Sequence, residues 1–215
     1  MNGQQLGQAG GAGGIMPGSE AGTIFVPGVG PLRITDWRQD LIWDMEVIPM
    51  VIAAGQQIVF FRNLQIAGVP KTRLQTSMVT PSQMPSGHRA IVYGIHFLPM
   101  PNSDYRDCQT VIANGYAEFI TGDTKREKSG PLWSFPSPFG NTGNMGIDGA
   151  GAYTELTNFN NGVPSEAAQG KLAIPIDLTN EMTFQCNLTF FNAINLGAVL
   201  SMYCYLRAYI QTPVR

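Results

Sequence analysis

Charged side chains are scarce in this chain. Asp, Glu, Lys and Arg make up 13% of its 215 residues, about half of the roughly 25% typical of soluble domains. A surface with so few charges suits a protein that is covered by copies of itself or by another partner. With a net charge of −2, the chain has no excess of basic side chains to bind phosphate groups. We therefore expect no direct binding of nucleic acid.

Residues that carry catalysis or hold metals are also few. The two histidines, His88 and His96, lack the clustering with a carboxylate that a metal site needs. There is no Gly-x-Ser-x-Gly motif, and the cysteines have no metal-ligand spacing. We therefore expect no catalytic residue, no cofactor, no metal site and no enzyme. One alternative is calcium binding by a local group of acids, which are Asp36, Asp40, Asp44 and Glu46.

Long apolar runs are missing as well. None approaches the length of about 18 residues that a membrane span needs, and the N-terminus lacks the basic-then-apolar order of a signal peptide. We expect neither a membrane span nor export by that route. The three cysteines, Cys108, Cys186 and Cys204, are expected to be buried thiols, which fits a reducing compartment such as the cytoplasm. The alternative is a disulfide between the last two across two strands.

Strict alternation of apolar and polar residues dominates the C-terminal part of the chain. In 182–190 the apolar positions are Met182, Phe184, Cys186, Leu188 and Phe190. In 200–210 they are Leu200, Met202, Cys204, Leu206, Ala208 and Ile210. A period of two over such lengths predicts strands with one face in a core.

The polar side of the last predicted strand carries a row of large side chains. Its members are Tyr203, Tyr205, Arg207 and Tyr209. Tyrosine and arginine are enriched at interfaces because they bury area while a polar end stays satisfied. The row is therefore a candidate subunit interface. The alternative is a second buried layer formed by a loop of the same subunit.

The N-terminal residues 1–22 are rich in Gly, Gln and Ala and contain no Lys or Arg. Such a segment cannot bury enough apolar surface to offset its ordering entropy, so we expect a flexible arm. It is either a plain tail or an arm that orders against a neighbouring subunit. The remainder, 23–215, is predicted to form one domain.

Further strands are predicted between the arm and the C-terminal pair. In 90–98 the pattern places Ile91, Tyr93, Ile95 and Phe97 on one face. Residues 109–113 and 116–121 predict a hairpin that turns near Asn114-Gly115. The mixed-sign run 123–128 predicts a solvated loop. In 171–178, Pro175 predicts an edge strand or a bulge.

The segment 130–170 is the least regular part and is rich in Gly, Pro and Asn. Its length favours a functional or interface loop. Four aromatic residues in it are candidate loop contacts: Trp133, Phe135, Phe139 and Tyr153. They either pin the loop to its own scaffold or contact a ligand or partner.

About eight strands with long connections predict an all-β fold, an antiparallel β-sandwich of the jelly-roll type. The order of a glycine-rich arm, a sandwich and the closing strands KLAIPIDLTNEMTFQCNLTFF and VLSMYCYLRAYIQTPVR resembles the single jelly-roll structural proteins of viruses and bacteriophages. The resemblance covers most of the chain as a pattern of elements, without a diagnostic residue motif.

This resemblance implies a capsid-type virion structural protein, as a shell, vertex or decoration subunit, that acts by self-assembly. Its partners would be copies of itself and other virion proteins, and its location would be the virion after synthesis in the host cytoplasm. The alternative is a trimeric receptor- or glycan-binding head of a viral fibre, with the loop aromatics stacking against sugar.

Overall fold

The computed structural model describes residues 22–26, 29–100, 103–122, 124–136, 142–144, 158–160 and 171–211. Apart from Gly22, the predicted arm lies outside these residues. The described chain consists mainly of antiparallel strands in sandwich-like layers, so the predicted all-β class is confirmed.

The described residues contain one helix, α1 (Tyr105–Asn114), and a short 3-10 turn (Leu132–Ser134). The strands are β1 (Thr23–Val26), β2 (Gly30–Arg33), β3 (Trp37–Ile48), β4 (Val51–Ile52), β5 (Gln57–Phe60), β6 (Gln65–Ile66), β7 (Val69–Pro70), β8 (Arg89–Pro99), β9 (Gly115–Thr121), β10 (Lys125–Pro131), β11 (Thr142–Asn144), β12 (Asn158–Asn160), β13 (Lys171–Leu178), β14 (Phe184–Phe190), β15 (Ile194–Asn195) and β16 (Leu200–Gln211).

Two four-stranded sheets form the sandwich. Sheet I has the order β13-β8-β16-β3, and sheet II has the order β10-β9-β14-β5. Counted along the chain, the first of these eight strands pairs with the last, the second with the seventh, the third with the sixth and the fourth with the fifth. All four pairings are antiparallel, so the chain folds back on itself as a long rolled hairpin.

The core lies between the inner faces of the two sheets. Phe60 of sheet II and Phe97 of sheet I meet edge to face, with ring centroids 5.4 Å apart. Edge-to-face contact is a favoured aromatic geometry because the positive ring edge meets the negative ring face. Burial of such side chains from both sheets into one cluster supplies the main driving force for closing the sandwich.

The alternation predicted for the last strand is confirmed. Every second residue of β16, from Leu200 to Ile210, is buried, and the residues between are half-buried. Strand β14 buries Phe184, Cys186, Leu188 and Phe190 in the same way. Cys108, Cys186 and Cys204 are buried free thiols.

The edge position predicted from Pro175 is also confirmed. Strand β13 lies at the edge of sheet I, and its register with β8 shifts between Lys171 and Ile176. Proline has no N–H to donate to a ladder, so it is tolerated where pairing is interrupted or one-sided.

The predicted hairpin at Asn114-Gly115 is wrong. Residues 105–114 form helix α1, and Gly115 begins β9, which pairs with β14 and β10. The Asp104 side chain caps the helix by accepting a hydrogen bond from the Arg106 N–H at 2.8 Å. Cys108 and Val111, three residues apart, bury one helix face. This tertiary burial overrides the local turn signal of Asn-Gly.

The solvated loop predicted at 123–128 is wrong for its last four residues. Lys125 begins β10, which pairs with β9 at the edge of sheet II. Charged side chains are tolerated at a sheet edge, where they also discourage pairing with other chains. Arg126 accordingly lies 3.3 Å from Glu118 on the neighbouring strand.

The prediction that four residues of β8 share one face is wrong for two of them, Ile91 and Tyr93. Ile95 and Phe97 join the main core, whereas Ile91 belongs to a small cluster on the opposite side of the sheet. The cause is a bulge: Arg207 pairs with Gly94 and Ala208 pairs with Val92, so Tyr93 is an extra residue. One extra residue reverses the side to which all later side chains point.

Candidate subunit-contact face

The outer side of sheet I carries the tyrosine row. Tyr203, Tyr205, Arg207 and Tyr209 are all half-buried, because their strand β16 turns its apolar side chains inward. In this central strand, each member of the row lies between partners on β3 and β8. We call this outer side of sheet I the tyrosine face.

Register determines the neighbours of the row. Tyr205 lies opposite Trp43 of β3 and His96 of β8, and Arg207 lies opposite Leu41 and Gly94. Directly opposed residues share a side of the sheet and are close enough for their side chains to interact. The centre of the tyrosine face therefore combines aromatic rings, an aliphatic side chain and a guanidinium group.

Contacts within the face hold its rings in place. Tyr203 stacks on Tyr205 with centroids 5.4 Å apart, and Tyr93 lies 5.1 Å from Tyr209. The Arg207 guanidinium lies over the Tyr93 ring at 5.2 Å. Burial, and then Tyr203, raises the pKa of Tyr205 to about 12, so its hydroxyl stays neutral. A pre-ordered set of rings loses little entropy when it binds.

Segments of the same chain cover the two ends of the face. At one end the Tyr203 hydroxyl donates to the Leu74 carbonyl at 3.2 Å. At the other, Val26 and Leu32 of the β1–β2 hairpin cluster with Ile91, against which Tyr209 packs. At both ends of the row, the same chain therefore forms the second layer that was the alternative to a subunit interface. Tyr205 and Arg207 lie between these two ends.

Two buried polar atoms of this region have no hydrogen-bond partner within the described residues: Arg207 Nη1 and His96 Nε2. A buried guanidinium N–H without an acceptor is energetically unfavourable, and the loss is larger for charged groups than for neutral ones.

The imidazole of His96, opposite Tyr205 on the tyrosine face, is buried and uncharged. Its Nδ1 lies 2.6 Å from the Pro136 carbonyl, to which it donates as Nδ1–H. Burial lowers the pKa of His96 to about 4, partly opposed by this hydrogen bond, and the charges of Arg207 and Lys128 lower it further. The side chain is fully buried, so protonating it in place would put a third positive charge near the other two.

Stability should consequently fall as the pH falls. Between about 6.5 and about 4 the unfolded chain binds a proton at His96 that the folded chain excludes, so the free energy of unfolding decreases toward acid, by up to about 3 kcal/mol. We expect urea unfolding of His96→Gln to show a flatter pH dependence over this window. The same substitution at His88 controls for loss of a histidine, and an unchanged slope in His96→Gln would contradict the assignment.

The candidate loop aromatics separate into two groups. Trp133 is 65% exposed, whereas Phe135 is fully buried against Phe97 at 5.7 Å. Phe135 is therefore removed from the candidate ligand contacts, because it pins its segment to the core. Phe139 and Tyr153 lie outside the described residues.

A groove of about 440 Å³ opens beside edge strand β3. Its lining is mixed and includes Arg38, Trp43, Arg73, Ser77, Met84 and His88. The edge of β3 is joined to the connection 71–88 near Trp43, whose carbonyl accepts from the Ser77 N–H at 2.9 Å. In this lining the Ser77 hydroxyl donates to the Trp43 carbonyl at 3.2 Å, and His88 Nδ1 lies 3.2 Å from the Ser86 carbonyl.

The acids considered for calcium are otherwise engaged. Asp44 and Glu46 both contact the Lys71 ammonium, at 2.9 Å and 2.7 Å, and Asp40 lies 3.2 Å from Arg38. The Lys71 ammonium already neutralises Asp44 and Glu46, so this geometry does not favour calcium binding by these acids. Lys71 was missed at the sequence level. Alternation along 37–48 puts the apolar Leu41, Trp43 and Met45 on the face opposite Asp44 and Glu46, and only the pairing of β3 with β16 shows that the two acids point inward.

Comparison of the chain with protein-family models, curated proteins and solved structures found no match. Within the described part of the chain, no helix combines the length and apolar character needed to cross a membrane.

Proposed function

We propose that this chain is a virion structural subunit, with the strands of a jelly roll, that assembles with copies of itself and with other virion proteins. The first-with-last, second-with-seventh pairing of the eight long strands supports this fold, since a jelly roll is a rolled, double-sheet arrangement of eight strands. The proposed role is assembly in the virion after synthesis in the host cytoplasm, without catalysis of an external substrate.

The observation that carries the proposal is the half-buried centre of the tyrosine face. Tyr205 and Arg207 present an ordered ring and a guanidinium group on the outer side of sheet I, and both side chains are half-buried. Tyr and Arg in such partly desolvated positions are the residue types that most often dominate interface energies. The low charge of the whole chain fits a surface that is covered in its working state.

The test is the mass of the full chain in solution, by light scattering, with negative-stain imaging of the same sample. We expect rings, shells or tubes, and we expect Arg207→Glu to weaken association by about 2 kcal/mol or more, roughly 30-fold. Arg126→Glu, on the edge of sheet II and 69% exposed, is the matched control. Assembly that survives Arg207→Glu unchanged would exclude the tyrosine face as the contact.

The role of the arm is tested in the same assay. Removing 1–22 should shrink large assemblies to small oligomers if the arm orders against a neighbour. A monomer at every concentration of the full chain would contradict self-assembly, leaving only assembly that depends on other proteins.

The exposed Trp133 favours one alternative, a trimeric receptor- or glycan-binding fibre head, because an exposed indole can stack on a sugar ring. That function predicts a stable trimer which is indifferent to removal of 1–22. It also predicts glycan binding that Trp133→Ala abolishes.

A further inference from the structure

Three ionisable side chains meet at the buried edge of sheet I. The side chains of Lys71 and Asp44 are 0% exposed, and that of Glu46 is 13% exposed. Lys71 Nζ lies 2.9 Å from Asp44 Oδ1 and 3.0 Å from Oδ2, and 2.7 Å from Glu46 Oε1. One amine thus contacts two carboxyl groups, and both the amine and the Asp44 carboxyl group are shielded from solvent.

The fold brings these groups together from separate elements. On β3, Asp44 lies opposite Cys204 and Glu46 lies opposite Met202, both of which are buried core residues of β16. Two successive inward positions of one strand therefore carry carboxyl groups. Lys71 comes from the connection that follows β7, 27 residues away from Asp44.

Backbone contacts hold the connection at Lys71 and again at residues 76–77. The Lys71 N–H donates to the Leu64 carbonyl at 2.8 Å, and further along the Ser77 N–H donates to the Trp43 carbonyl at 2.9 Å. Thr76 forms a β-bridge with Asp44. Because the backbone is hydrogen-bonded at the lysine and paired with β3 again at 76–77, the amine is held near the Asp44 carboxyl group, as an intramolecular reaction requires.

Burial makes the Asp44 carboxyl group easier to protonate than it is in water. Burial raises the pKa of Asp44 and of Glu46, and the hydrogen bonds and charge of Lys71 oppose this. A protonated carboxyl group is the form in which hydroxide can be replaced, because its oxygen can leave as water.

A backbone donor already points at the group that would be attacked. The Phe61 N–H donates to Asp44 Oδ2 at 2.6 Å. Phe61 has a left-handed backbone, with φ of 69°, a conformation that a non-glycine residue adopts only when its surroundings impose it. A fixed N–H at this oxygen would stabilise the negative charge that develops there during attack on the carbon.

We infer that Lys71 and Asp44 form an intramolecular amide cross-link, with Glu46 as the group that transfers the proton. Lys71 first gives a proton to the Asp44 carboxylate, and the neutral Nζ attacks Cγ. Glu46 takes one of the two remaining Nζ protons and passes it to the Asp44 hydroxyl oxygen. The C–O bond breaks, water leaves, and the C–N bond remains. The net reaction is a condensation that needs no oxidant and no further reactant.

Such a bond would fasten the connection 71–88 to β3 without a disulfide. The connection also supplies the Leu74 carbonyl that binds the Tyr203 hydroxyl, so the cross-link would stiffen one end of the tyrosine face. The inference rests on the geometry of the three side chains and does not depend on the proposed assembly.

The test is the intact mass of the purified folded protein, followed by peptide mapping. We expect a mass lower than that of the sequence by one water molecule, and a branched peptide that joins the segments containing Lys71 and Asp44. Glu46→Gln, which preserves size but cannot accept the proton, should have the full mass and linear peptides. A wild-type protein with the full mass would overturn the inference.

Two controls make the result specific. Lys71→Met must have the full mass; a water deficit that persists in it arises elsewhere in the chain and overturns the assignment. The Lys125–Glu127 pair is as close, at 2.6 Å, but its lysine is 75% exposed, so its peptides should be linear. Because the wild-type mass and branched peptide decide the question, a variant that fails to fold does not affect it.

Discussion

Lys71→Met is expected to lower the free energy of unfolding by about 3–5 kcal/mol, the loss typical of removing one partner from a buried ion pair. The substitution keeps an unbranched side chain of similar size but leaves Asp44 and Glu46, buried and partly buried, without the ammonium that lies between them. Urea unfolding followed by circular dichroism measures the change. If the proposed amide forms, the substitution removes the cross-link in place of the Lys71–Asp44 ion pair.

Lys125→Met is the matched control for this experiment. It removes the same charge from an ion pair with Glu127, but the lysine is 75% exposed. Exposed pairs contribute about 1 kcal/mol or less, so the control should remain close to the wild type. Equal losses in the two variants would show that burial does not set the energy of the Lys71 group.

Phe135→Ala is expected to destabilise the protein by about 3–5 kcal/mol, whereas Trp133→Ala should change stability by only about 0.5 kcal/mol. The residues are two positions apart, yet Phe135 is fully buried and contacts Phe97, while Trp133 is 65% exposed. Truncating the buried Phe135 ring removes apolar contacts and leaves a cavity. Truncating the exposed Trp133 ring removes few contacts and leaves no cavity.

Urea unfolding measures both variants, and the outcome bears on function as well as stability. A large loss in Trp133→Ala would place that indole under further protein and remove the main support for a glycan-binding fibre head. A small loss in Phe135→Ala would contradict the assignment of Phe135 to the scaffold.

The tyrosine face could be predicted in part. The sequence indicated that Tyr203, Tyr205, Arg207 and Tyr209 lie on one side of a strand, because strand periodicity is local. The neighbours of the row on β3 and β8 depend on register between strands far apart in the sequence. The partial cover at both ends could not be predicted either, since it comes from a hairpin and a connection without a periodic signal.

The sequence by itself determined the features that arise from local chemistry. These are the all-β class, the inward faces of β14 and β16, and the edge position of the strand that contains Pro175. Alternation and the missing proline N–H act within a few residues, so no knowledge of the packing is needed to read them.

Only the tertiary structure decided the features that depend on distant contacts. A bulge at Tyr93 reversed the face of β8, packing turned 105–114 into a helix, and the fold placed Lys71 against Asp44. Each outcome is set by burial and pairing between separate segments, whose energies outweigh local preferences.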